Sequence, residues 1–198
     1  TWTLLTDNAR TFLIDGEAFL RVQKSVDAHN YAPSAVELCK ALEVELRTRL
    51  MQPFGEYVLT RATFAELQRD RASHNRLELL RAVPVNGQTE HTLTLGQLAR
   101  ELERAPKGTE RIYAIFRDYV QEQCAEPAYW LDPKRGPAML RTVAQKYRNG
   151  AAHTQPMTRE LLEEWRERLL GIVTPPGWLE EVIRATAPKD PTIDCSQC

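Results

Sequence analysis

Ala35-Val36-Glu37-Leu38-Cys39-Lys40-Ala41-Leu42-Glu43-Val44-Glu45-Leu46-Arg47-Thr48-Arg49-Leu50-Met51 is the most clearly periodic stretch of the chain. Its apolar positions Ala35, Leu38, Cys39, Leu42, Leu46 and Leu50 recur at three- and four-residue steps. At about 100° per residue these steps stack the side chains along one side of an α-helix. Glu37, Glu43, Glu45, Arg47 and Arg49 take much of the remaining surface, and Pro33 and Ser34 suit the helix start. A wide apolar stripe of this kind needs other helices to cover it.

The rest of the chain supplies them. Residues 6–26 place Phe12, Leu13, Phe19, Leu20 and Val26 at helical steps, with Gly16 as a soft spot. Residues 63–83 form a second amphipathic segment whose middle, from Gln68 to Arg76, is almost wholly polar. Pro84 to His91, with Asn86-Gly87, reads as a turn. Thr94 caps a helix to Glu103, and Thr109 caps the next, to about Cys124. Three prolines make 126–137 a connection, with Tyr129, Trp130 and Leu131 folding back on the core. From Ala138, Met139, Leu140, Val143 and Tyr147 form a core face. Thr158 caps the helix 159–170, Gly171 ends it, and a last helix spans 178–186. The expected fold is all-α, one domain over residues 1–186, with 58–107 as a helical insertion and 187–198 as a polar tail.

Bulk properties narrow the function. With 26 basic and 27 acidic residues the net charge is −1, so a polyanion would have to be recruited by a local patch rather than by the whole molecule. No apolar run approaches the roughly 20 residues of a membrane-spanning helix. Four cysteines form no disulfide framework; Cys39 and Cys124 read as buried thiols, and a reducing, cytoplasmic compartment is expected. Cys195 and Cys198 form a CxxC, half of a zinc site at most. With no glycine-rich phosphate loop and no HExxH, neither a cofactor nor a metal is expected. The chain opens on Thr1, which fits a piece of a longer protein.

One constellation points to chemistry. Arg148-Asn149-Gly150-Ala151-Ala152-His153 sets an arginine and a histidine either side of small residues that allow close approach. From Pro133 to Gln155 there is no acidic side chain, while Lys134, Arg135, Arg141 and Lys146 add positive charge with Arg148. These four are the expected contacts to a phosphodiester backbone. The spacing alone means little, because Arg69 and His74 repeat it inside the polar run. On an unbroken helix Arg148 and His153 would lie roughly 140° apart, whereas Asn149 and His153, at i and i+4, share a face. Asn149 is therefore expected to orient the imidazole. The structural alternative is a basic helix end interacting with its own carbonyls.

Arg148, Asn149 and His153 together resemble the signature of the HEPN superfamily: an arginine, a polar residue, and a histidine four to six intervening positions on. The resemblance extends over about 34–50 and 138–170. It implies an up-and-down helical bundle, here with additional helices in the middle third, that dimerises across the motif. It also implies metal-independent cleavage of RNA by attack of a ribose 2′-hydroxyl, in which His153, with a reference pKa of about 6.5, serves as acid or base. Arg148 would bind the phosphate. One motif supplies one imidazole, so a homodimer is the chemical expectation too. The implied role is the effector domain of a bacterial defence or toxin system, with RNA as substrate. Gln155 stands where one toxin branch has a tyrosine, so that mode of inactivation is not supported. The alternative is a non-catalytic helical module for dimerisation or RNA binding.

Overall fold

The computed structural model of the chain describes residues 2–63, 65–67, 69, 78–83, 93–148 and 156–189. The fold is all-α: among these residues the only strand-like feature is an isolated antiparallel bridge between Cys124 and Pro188. The principal helices are α1 (Asp7–Ser25), α2 (Ala32–Leu46), α3 (Gln52–Arg61), α4 (Leu95–Arg104), α5 (Arg111–Gln123), α6 (Pro127–Leu131), α7 (Gly136–Thr142), α8 (Arg159–Leu170) and α9 (Trp178–Thr186). No helix among the described residues is long and apolar enough to cross a membrane.

α2 is the centre of the bundle and packs against α1, α8 and α9. Its stripe is buried as the periodicity requires: Ala35, Leu38, Cys39, Leu42, Leu46 and Leu50 are all inside. α1 lies closest to it. The Ser34 hydroxyl donates to the Gly16 carbonyl at 2.6 Å, and a Cβ at Gly16 would stand 3.2 Å from Leu38 Cδ2. Gly16 is thus the point of helix–helix approach within a continuous helix rather than a soft spot. Phe19 and Val26 face outward, leaving Leu13 and Leu20 to fill the interface.

Glu45 departs from the pattern. Periodicity assigns it to solvent, yet it is completely buried. It accepts the Thr6 backbone N–H at 2.7 Å and the Thr6 hydroxyl at 2.8 Å, and it pairs with Arg49. The carboxylate tethers the start of α1 to α2, and those partners offset its desolvation.

The α2 helix does not stop at Met51. A π turn over Arg47–Met51, in which the Gln52 N–H reaches back to the Arg47 carbonyl, joins α2 to α3 without a break. Pro53 suggests a helix end because it lacks an N–H and its ring crowds the preceding turn; the wider π turn relieves both problems. A second π turn, Val143–Arg148, extends α7 in the same way.

Other boundaries follow the sequence. Thr94 forms a capping box with Gln97, Thr158 caps α8, and Gly171 ends it with φ 66° in the left-handed region. α5 is capped one residue later than expected, at Glu110, and Pro127–Leu131 is a short helix rather than a plain connection. Pro127 causes no break because it occupies the first helical position, where no N–H is required. Tyr129 and Trp130 are buried as expected. Positions 70–77, 84–92, 149–155 and 190–198 lie outside the described residues; with them go the Asn86-Gly87 turn, His74, and Cys195 and Cys198.

Candidate functional site

Arg148 is the last residue of the second π turn, and its neighbour Tyr147 fixes where that turn sits. The Tyr147 ring stacks on Trp165 of α8 with centroids 4.7 Å apart and planes 16° apart, and both residues are fully buried. The Tyr147 hydroxyl donates to Glu164 at 3.1 Å, and the Lys146 ammonium pairs with the same carboxylate at 2.7 Å. Hydrogen bonds from Lys146 hold the Glu164 carboxyl below the usual range, while burial pushes the Tyr147 phenol up to about 12. This end of the helix is anchored by a stacked pair and a shared carboxylate.

From there Arg148 reaches across to α2. Its Nε lies 3.6 Å from Glu43 Oε1, longer than a hydrogen bond, with the two side chains 39% and 30% exposed. The guanidinium is therefore held beside Glu43 without a closed hydrogen bond to it. Burial raises the Glu43 carboxyl above its ordinary value, opposed by the charge of Arg148. One turn earlier, burial and the Glu43 charge push the Cys39 thiol up, so Cys39 is an inert neutral neighbour.

A carboxyl whose folded-state pKa is raised binds more protons folded than unfolded, so its stabilising contribution falls as pH rises through the interval. Glu43→Gln removes that dependence. Melting temperatures of the two proteins should therefore diverge in favour of the glutamine variant as pH rises from the ordinary carboxylate value of 4.5. A pH-independent difference would contradict the burial of Glu43.

Arg148 and Glu43 open onto a cavity of about 490 Å³ between α1, α2, α4 and the first π turn. Lys40 of α2 and Arg47, the first residue of the π turn that continues it, lie one turn either side of Glu43 and border the cavity too. Sequence reading placed Arg47 on the solvated face and did not single out Lys40. The available signal was the run Lys40, Glu43, Arg47 at three- and four-residue steps.

The other basic residues of the acid-free stretch do not join this cluster. Arg141 pairs with Glu103 of α4, Lys146 with Glu164 of α8, and Arg135 with Glu126 while lying over the Tyr129 ring. Lys134 has no ion pair among the described residues. Four of the five cations therefore face a carboxylate brought from another element. These pairs are solvent-exposed and worth at most about 1 kcal/mol each, so a phosphate can compete for their cations.

Asn149 and His153 fall in 149–155, outside the described residues, so their geometry relative to Arg148 stays an expectation. The chain is secured beyond them. The Met157 N–H donates to Asn30 Oδ1 at 3.0 Å, the same oxygen accepts the Ala32 N–H at 3.0 Å, and the Tyr31 N–H donates to the Met157 carbonyl at 2.8 Å. The motif segment is thus held at both ends by α2 and its entry: Arg148 at Glu43, Met157 at Asn30. Asn30→Ala orphans two backbone donors and should cost about 1–3 kcal/mol. Chemical denaturation checks this, and an unchanged midpoint would show that the clamp contributes nothing.

Comparison with family models found no match for the chain, and comparison with curated proteins and with solved structures found none either.

Proposed function

We propose that the chain is a metal-independent endoribonuclease domain of the HEPN type, acting as a homodimer in a bacterial defence or toxin system. The observation that carries this reading is the placement of Arg148. A permanently charged guanidinium is loosely tethered by Glu43 at the mouth of a cavity that Lys40 and Arg47 also border. In this reading Arg148 takes a non-bridging oxygen of the scissile phosphate, giving up Glu43 as it does so. His153 moves the proton at the attacking 2′-hydroxyl or at the leaving 5′-oxygen, Asn149 orients its ring, and a second copy of the chain supplies the other imidazole. Lys134, Arg135, Arg141 and Lys146 extend the contact to flanking phosphates.

The test is cleavage of RNA in EDTA with end-group analysis. The expected product carries a 2′,3′-cyclic phosphate, and His153→Ala abolishes its formation. Undiminished cleavage by that variant would remove His153 from the mechanism.

The Arg148–Glu43 ion pair also favours a second reading, in which the domain is a non-catalytic helical module for dimerisation or RNA binding and the pair is structural. That reading expects RNA binding or dimerisation unaffected by His153→Ala and no cleavage by the parent protein.

A further inference from the structure

Arg148 borders a cavity far larger than a phosphate requires, and the rest of its lining has a different character. Phe12 of α1, Val44 of α2, Met51 of the first π turn and Leu98 of α4 give it an apolar lining. Phe12 and Val44 are only half-buried, so an aromatic ring and a branched face remain available in the cavity. Lys40 Nζ sits 5.4 Å from the centroid of the Phe12 ring and pairs with Glu37 at 2.7 Å. Arg47 is exposed and makes no ion pair among the described residues. Asn8 and Gln52, both exposed, add amide donors and acceptors at the margin.

The lining divides by chemistry. Three cations, Lys40, Arg47 and Arg148, stand against one carboxylate, Glu43, in its lining. Beside them lie an aromatic face and aliphatic side chains. A cavity of about 490 Å³ is the size of a small-molecule site rather than the long groove a partner helix needs. Both π turns reach it: Arg47 and Met51 come from one and Arg148 from the other. A π turn has one extra residue per turn, which changes the register of the side chains that follow it.

We infer that this cavity is a base-specificity subsite, receiving the unstacked base of the nucleotide whose phosphate Arg148 holds. The base stacks on Phe12 against Val44 and Leu98, and its edge meets Asn8 or Gln52. Lys40 and Arg47 take the adjoining phosphates. The substrate class is accordingly single-stranded RNA, since a paired base would have to be unpaired and unstacked before it could enter. This rests on the proposed role of Arg148 as the phosphate contact.

The experiment is fluorescence anisotropy with the full chain and a single-stranded oligoribonucleotide made fully 2′-O-methyl, so that 2′-hydroxyl attack is blocked. One abasic position is moved along the oligonucleotide. In the unaltered protein one position should weaken binding by roughly tenfold or more, the loss of one base–aromatic stack. Val44→Trp, which fills the cavity from α2, and Phe12→Ala, which removes the stacking face from α1, should both erase the dependence on that position. Two variants on different helices guard against one that fails to fold.

Uniform affinity at every abasic position, or dependence retained in both folded variants, overturns the subsite. A nucleoside monophosphate that binds as tightly as the oligonucleotide also overturns it, because the cavity would then hold a free nucleotide. Cleavage of unmodified RNA is read alongside. Base dependence without cleavage supports the subsite and rejects the ribonuclease reading, whereas cleavage unaffected by Val44→Trp does the reverse.

Discussion

Arg148→Ala is expected to lower kcat/KM for RNA cleavage by roughly 100- to 1,000-fold, the usual cost of removing one preorganised donor from a developing oxyanion. The fold should barely register the change. Arg148 is 39% exposed, and its Glu43 contact at 3.6 Å is too long for a hydrogen bond. An exposed pair of this kind contributes at most about 1 kcal/mol. The Glu43 left behind keeps solvent contact, with 30% of its side chain exposed, so losing Arg148 does not strand a fully buried anion. Arg148→Lys keeps the charge but loses the planar fork that grips two phosphate oxygens, so its rate should fall between the two. Cleavage assays paired with thermal melts check this. A large drop in melting temperature, with activity per folded molecule unchanged, would make Arg148 a structural residue and favour the non-catalytic reading.

Trp165→Ala is expected to cost about 3–5 kcal/mol, the range for emptying a large aromatic site in a packed core. Trp165 has no exposed surface, stacks on Tyr147, and lies 5.7 Å from the Trp178 ring. Trp165→Phe should be much milder, because it keeps an aromatic ring stacked on Tyr147 and leaves a far smaller cavity. The effect should also reach function. Tyr147 immediately precedes Arg148, and the stack is what positions the end of that turn. Cleavage by Trp165→Ala should therefore fall further than its folded fraction does. Denaturation curves give the stability, and assays at a temperature where the variant stays folded separate the two effects. Equal losses would confine Trp165 to stability.

Much of this architecture could be read locally. Thr6, Thr94 and Thr158 mark helix starts because a hydroxyl accepts orphan N–H groups nearby in sequence, and Gly171 marks an end because it tolerates a left-handed backbone. Met139, Leu140, Val143 and Tyr147 were legible as core from their spacing alone. What escaped depends on partners distant in sequence. Glu45 looks like a surface carboxylate until Thr6 is brought to it. Pro53 looks like a stop until a π turn absorbs it. The absence of acids from Pro133 to Gln155 is true of the sequence and untrue in space, where Glu126, Glu103, Glu164 and Glu43 arrive from other elements. At the site, Arg148 was legible from the motif. Lys40 and Arg47 share helical spacing with Glu43, but only the packing of distant elements makes that stripe border a cavity, which Phe12 of α1 also lines.

The Asn30 clamp also has a temporal meaning. Its bond to Met157 spans 127 positions of chain, so closing it requires one of the longest loops the molecule makes. Contacts of that range form late, after local helices have already paired. During synthesis, α1, α2 and α3 can dock on one another long before Met157 exists, and Trp165 emerges later still. Until then Arg148 has neither its aromatic brace nor a secured far end to its motif. Arg148 is therefore braced only once the chain has been made through Trp165, and the proposed cleavage would begin no earlier than that.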